Sequence, residues 1–146
     1  MKILIFGLPG SGKTTLAKPL AELLGGVHLN ADEIRTKYYD WDFSVKGRIA
    51  QAKRMCNISD GVVLAGKVAI IDFICPIALS RDYVSADYTI WMDTLKQSEH
   101  KDTDIIFQKP QLSEINYHVS EWFNDTHTQL LPIIKNYMQK IRDENT

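Results

Sequence analysis

The sequence predicts an α/β protein, a three-layer α/β/α sandwich around a mostly parallel sheet. Three observations carry that expectation. Short, bounded apolar runs recur at 2–6, 68–73 and 87–93, the pattern of strands buried on both faces. Between them lie longer stretches whose apolar residues recur every three or four positions, the period of a helix packed on one side. No internal repeat, low-complexity tract or linker interrupts the alternation, so the 146 residues are read as a single domain, 1–146.

Taken in order, Lys2–Phe6 (KILIF) is the first buried strand. A glycine-rich stretch, Gly7–Thr14, comes directly after it. The next segment places Leu16, Leu20, Leu23 and Leu24 on one helical stripe, closed by Gly25 and Gly26. Pro19 has no donor N–H and is expected to bend that helix or weaken its first turns. Residues 26–30 (GVHLN) read as a second short strand, and 31–39 (ADEIRTKYY) as one or two helical turns. Ser44 is placed to cap a long amphipathic helix reaching Lys67, with Ile49, Ala52, Cys56 and Val63 on its inner face. Val68–Phe73 and Asp87–Asp93 are further strands, and Ile115–Val119, which alternates, is the fifth and last. Beyond Glu121, the spacing of Phe123, His127, Leu130, Ile134, Tyr137 and Ile141 predicts a terminal helix, kinked or split near Pro132, with a frayed tail.

Composition narrows the function. A net charge of -1 argues against broad binding of nucleic acid, which needs a basic surface. Four of the five arginines (Arg35, Arg48, Arg54 and Arg81) fall in the middle of the chain, which suits a local anion site. Cys56 and Cys75 lie in apolar surroundings without metal-ligand spacing and are expected to be buried, reduced thiols. No stretch reaches the roughly 18 apolar residues of a membrane span. The apolar run at the N terminus is too short for a signal peptide. A cytoplasmic protein is expected, and the sequons at Asn57 and Asn124 are then chance matches.

Gly7-Leu8-Pro9-Gly10-Ser11-Gly12-Lys13-Thr14 fits G-x-x-x-x-G-K-[ST] at every specified position, directly after a strand and before a helix. Glycines allow positive φ angles that turn several backbone N–H groups inward, making a concave anion site. The helix that starts there aims its positive end at the phosphate. Lys13 can bridge the β- and γ-phosphates of ATP, the Thr14 hydroxyl can coordinate Mg²⁺, and Thr15 falls near the α-phosphate. Asp72, at the end of a buried strand, can hold Mg²⁺ through a water or cap the segment after the strand. Asp32 can meet the metal, accept a hydroxyl proton, or serve only as an acid favoured by a helix N-terminus. Arg35, Arg48 and Arg81 can each clamp an anionic acceptor, since guanidinium forks match phosphate and sulfate oxygens. Phe43, Phe73, Tyr38 and Trp41 could offer stacking surface to a base, and His127 is expected to be packed in the core.

These stretches resemble adenylylsulfate kinase, a small P-loop kinase that moves the ATP γ-phosphate to the ribose 3′-hydroxyl of adenylyl sulfate. GLPGSGKTTLA is similar to that family's opening, and LNADEIR (Leu29 to Arg35) to its L-D-G-D-x-x-R element. DFSVKGRIAQAKRM (Asp42 to Met55), DFICPIALSRD (Asp72 to Asp82), WMDT (Trp91 to Thr94) and FQKPQLSEI (Phe107 to Ile115) resemble its later elements. The likeness runs from about Lys2 to Val119. It implies a P-loop NTPase, nucleotide-kinase-like fold, with ATP and Mg²⁺ as cofactors and Lys13, Asp32 and Asp72 as catalytic residues. Arg35, Arg48, Phe73, Ile74 and Pro76 would line the acceptor site, Phe43 would stack on its adenine, and Gln51 stands where the family usually has an asparagine.

The departures are specific. Asn30 and Ala31 replace the first aspartate and the glycine of L-D-G-D, and Cys75 replaces a serine. The family's longer basic lid is reduced to Leu95–Lys109, which contains no arginine and only Lys96, Lys101 and Lys109 as cations. The expected partner is a small-molecule nucleotide, with no membrane and no nucleic acid except a polynucleotide 5′ end as substrate; a homodimer is left open. A kinase of another hydroxyl acceptor and a nucleotide-binding module without turnover stay beside adenylyl sulfate phosphorylation.

Overall fold

A computed structural model describes all residues, Met1–Thr146. Five strands, β1 (Lys2–Gly7), β2 (Val27–Asn30), β3 (Ala69–Phe73), β4 (Tyr88–Met92) and β5 (Tyr117–Val119), form one sheet in the order β2-β3-β1-β4-β5. Every neighbouring pair is parallel. The helices are α1 (Lys13–Leu24), α2 (Ala31–Tyr38), α3 (Val45–Leu64), α4 (Ala78–Val84), α5 (Lys101–Ile106) and α6 (Thr126–Glu144).

The period-2 alternation of β1 explains the layers. Ile3 and Ile5 join Leu16, Leu20, Leu130 and Ile134 beneath α1 and α6. Leu4 and Phe6 point the other way, onto Ile34, Ala52, Met55 and Val84 beneath α2, α3 and α4. The same alternation in β3 sends Ile71 and Phe73 to the second core and Ile70 to the first. Asp72 therefore lies on the α1 side, where the glycine loop ends.

Several helical expectations are corrected. The buried side of α3 is Gly47, Arg48, Gln51, Ala52, Met55 and Ser59, whereas Ile49, Cys56 and Val63 are only half-buried. Half of those buried residues are polar: Arg48 lines a cleft, Gln51 donates to the Ala31 carbonyl and Ser59 to the Cys56 carbonyl. The terminal helix begins at Thr126, leaves Phe123 exposed, and runs unbroken through Pro132 to Glu144, so it is neither split nor frayed early. His127 is half-buried and outside both cores. No helix of the chain is long and apolar enough to cross a membrane.

Candidate active site

The glycine loop lies between β1 and α1 at the carboxyl end of the sheet. Gly10 and Gly12 adopt φ of 81° and 97°, a left-handed backbone that a side chain would strain. Gly7 is held by proximity instead: a Cβ there would overlap the Met92 carbonyl oxygen. Thr94 Oγ1 donates to the Ser11 carbonyl at 2.8 Å, tying the loop to the end of β4. The Ser11 hydroxyl is buried with no partner.

Lys13 is buried, and its ammonium donates to the Leu8 carbonyl at 3.0 Å. Burial lowers its pKa, opposed by the charges of Asp72 and Asp32. Asp72 is almost fully buried, and its Oδ2 accepts from three groups: Thr14 Oγ1 at 2.6 Å, Asn30 Nδ2 at 3.0 Å and His28 Nε2 at 3.0 Å. Burial alone would raise the Asp72 pKa. The hydrogen bonds from His28, Thr14 and Asn30, with the Lys13 charge, outweigh it and hold the carboxyl below its ordinary value.

A cleft of about 190 Å³ opens beside this cluster. It brings together Pro9, Gly10, Lys13, Thr14, Asp32 and Asp72 with Arg35, Phe43, Arg48, Phe73 and Ile74. The Arg35 guanidinium lies 4.4 Å from the Phe43 ring centre, and that of Arg48 5.4 Å from it. Arg35 donates to the Asp40 and Asp42 carbonyls, each at 3.2 Å, and reaches Asp40 Oδ1 at 3.5 Å. Arg48 is buried, donates through Nε to the Phe43 carbonyl at 2.8 Å, and has no acidic partner. Burial and the nearby Arg35 charge both lower its pKa, the signature of a cation short of counter-charge.

Other expected residues fall elsewhere. Gln51 is completely buried, donating to the Ala31 carbonyl at 3.0 Å and accepting from Arg54 at 2.6 Å, so it holds up the cleft wall instead of lining it. Pro76 is buried and outside the lining, and Thr15 is exposed on α1. Arg81 donates to the Cys75 and Gln108 carbonyls and lies over the Phe6 and Phe107 rings, fastening two loops together. Cys56 is half-buried, whereas Cys75 is buried and its thiol is pushed up to about 12 by desolvation. Lys96 and Lys109 line a separate cavity of about 540 Å³ with Leu8, Asp93 and Thr94, and Lys101 is exposed at the start of α5.

His28 is a site residue that no motif in the sequence points to. It and Asn30 are two apart on β2, and the β2–β3 register sets Asn30 opposite Asp72. Asn30 also caps α2 by accepting from the Glu33 N–H at 3.0 Å. One amide thus serves both neighbours, a donor to the carboxylate and an acceptor to the helix.

For Mg²⁺, the chain offers oxygen donors in Thr14, Asp72 and Asp32 but no cluster of three or more His, Cys, Asp or Glu side chains. That set fits a cation that keeps its waters and is completed by phosphate oxygens. Asp72 Oδ1 takes none of the three bonds received by Oδ2 and is left for such a partner.

A family model described as Adenylylsulphate kinase matches residues 1–119. No curated protein matches the chain. Among solved structures, the APS kinase CysC of Mycobacterium tuberculosis in complex with AMPPNP and APS is similar with a TM-score of 0.71 and 15% identity, covering 92% of this chain and 96% of that one. A gluconokinase from Sinorhizobium meliloti 1021 gives 0.68 and 12% over 99% and 97%. The structure of APE1195 is 28% identical with a TM-score of 0.59, over 63% of this chain and 59% of that one. Matched over most of its length, the chain belongs to the adenylylsulphate kinase family of ATP-dependent phosphotransferases.

Proposed function

We propose that this kinase transfers the ATP γ-phosphate to a nucleotide hydroxyl, with the 3′-hydroxyl of adenylyl sulfate as the acceptor. The observation that carries this reading is Arg48, a buried guanidinium with no acidic partner, set with Arg35 around the Phe43 ring and beside Lys13 and Asp72. An anionic nucleotide supplies what that arrangement lacks: negative charge for the guanidiniums and a flat base for the ring.

In this reading, the amides of Gly10–Thr14 and the Lys13 ammonium hold the donor phosphates, and Arg35 and Arg48 hold the acceptor. Phosphoryl transfer then depends on positioning and charge more than on a covalent intermediate. Asp32 stands at the cleft mouth, where it would accept the hydroxyl proton. Mg²⁺, bound with the nucleotide, would supply charge neutralisation at the phosphates and would be held by Thr14 and Asp72. The short segment after Thr94 carries few cations, so Lys13, Arg35 and Arg48 bear most of the charge stabilisation. Reduced Cys56 and Cys75 suit a cytoplasmic setting.

The test is incubation with Mg²⁺, ATP and adenylyl sulfate, then detection of the 3′-phosphorylated product and ADP. Formation of both supports the reading. ADP appearing only with nucleosides or oligonucleotides would reassign the acceptor, and ATP binding without turnover would make the protein a binding module.

A further inference from the structure

The loop between α2 and α3 presents three aromatic side chains at alternate positions: Tyr39 is 88% exposed, Trp41 58% and Phe43 51%. The intervening acids turn the other way. Asp40 takes Arg54 at 2.9 Å and the Asp42 N–H at 3.0 Å, and Asp42 takes the Ser44 N–H at 3.0 Å. The loop is also pressed onto α3, because a Cβ on Gly47 would overlap the Asp42 carbonyl. Tyr39 ends α2 in the left-handed region at φ 51°, where a glycine would be unstrained. Tyr39 and Trp41 are therefore exposed on a loop whose two acids are already hydrogen-bonded.

Phe43 lines the acceptor cleft, but Tyr39 and Trp41 do not. We infer that the acceptor site continues past a single nucleotide, and that Trp41 and Tyr39 stack the next bases of a short single strand whose first base lies on Phe43. This rests on the reading of the cleft as a nucleotide site. Three observations favour a strand over a protein partner. The aromatic series starts inside the cleft, and two guanidiniums flank its first ring. Exposed Lys37 and Lys46 stand at the two ends of the segment. Cations beside exposed rings are the combination that binds unpaired strands without sequence preference.

Binding of the adenylate series pA, pApA and pApApA to the full-length protein tests this, measured by titration calorimetry, which reads parent and Trp41 variants alike. Each stacked base is expected to tighten binding roughly five- to 150-fold, levelling off at three bases. Trp41→Ala is expected to collapse the ratio between pApApA and pA, and Trp41→Phe to restore it. Equal affinities along the series, or a length dependence that survives both Trp41→Ala and Tyr39→Ala, would overturn the inference. So would a dimer in sedimentation that Trp41→Ala dissolves, since a second copy would then cover the loop. Product formed from adenylyl sulfate together with a flat length series would leave the proposed reaction intact and reject only the extension.

Discussion

Replacing Asn30 by aspartate tests the cluster around Asp72 with almost no change of shape. Asparagine and aspartate cap helices about equally well, so the bond to the Glu33 N–H should persist. What changes is the bond to Asp72, now 3.0 Å from an amide donor. Losing a hydrogen bond to a charged group costs about 1.5–3 kcal/mol. Two carboxylates roughly 3 Å apart repel by about 5 kcal/mol at an effective dielectric of 20. Protonating one of them at pH 7 costs about 4 kcal/mol and caps that repulsion. With some relaxation, a net deficit of about 2–4 kcal/mol is expected, or a Tm lower by roughly 5–15 °C in EDTA. Added Mg²⁺ with ATP should raise the Tm of Asn30→Asp more than that of the parent, because two carboxylates then share a cation. Circular dichroism melts with EDTA and with Mg²⁺–ATP measure both effects. Equal Tm values in EDTA would refute the argument that Asn30 donates to a charged Asp72.

The same geometry yields three further outcomes. Arg48→Ala should raise the KM for the acceptor at least about tenfold and leave that for ATP unchanged, since the unpaired guanidinium lies on the acceptor side; unchanged acceptor dependence in steady-state kinetics would contradict it. Gly47→Ala gains roughly 1 kcal/mol of helix propensity but must displace Asp42, so a net loss of about 1–2 kcal/mol in urea melts and a weaker acceptor KM are expected. The Asp42 N–H bond and Arg54 hold the Asp40 pKa below its ordinary value. Asp40→Asn should therefore show its full stability deficit at neutral pH, and the deficit should shrink as pH falls below about 4, in melts across pH 3–7.

What the sequence made legible was whatever is local. The five strands, the glycine loop and the strand-end Asp72 are all readable from runs and motifs in one stretch of chain. The site's other half depends on register. His28 and Asn30 reach Asp72 only because β2 pairs in parallel with β3 with Asn30 opposite Asp72. An alternating pattern could in principle have placed both on one face, but a four-residue strand gives that signal little length. The inner side of α3 departs from its pattern for a related reason. A stripe of Ile49, Ala52, Cys56 and Val63 reads as apolar, yet only Ala52 of the four is buried, alongside Arg48, Gln51, Met55 and Ser59; Arg48 and Gln51 meet polar partners from outside the helix. Of the residues the family likeness named for the acceptor, Arg35, Phe43 and Arg48 share one cleft, whereas Gln51 is sealed behind its wall. Helices α4 and α5, at seven and six residues, are too short for their periodicity to be read.

The loop's grip on ATP is the foundation of the account, and titration calorimetry with Mg²⁺–ATP against the parent and Lys13→Ala measures it directly. Saturable one-to-one binding that weakens about a hundredfold in Lys13→Ala is expected, from the loss of one charge-assisted contact. No heat of binding in the parent, or equal affinity in both proteins, would contradict it.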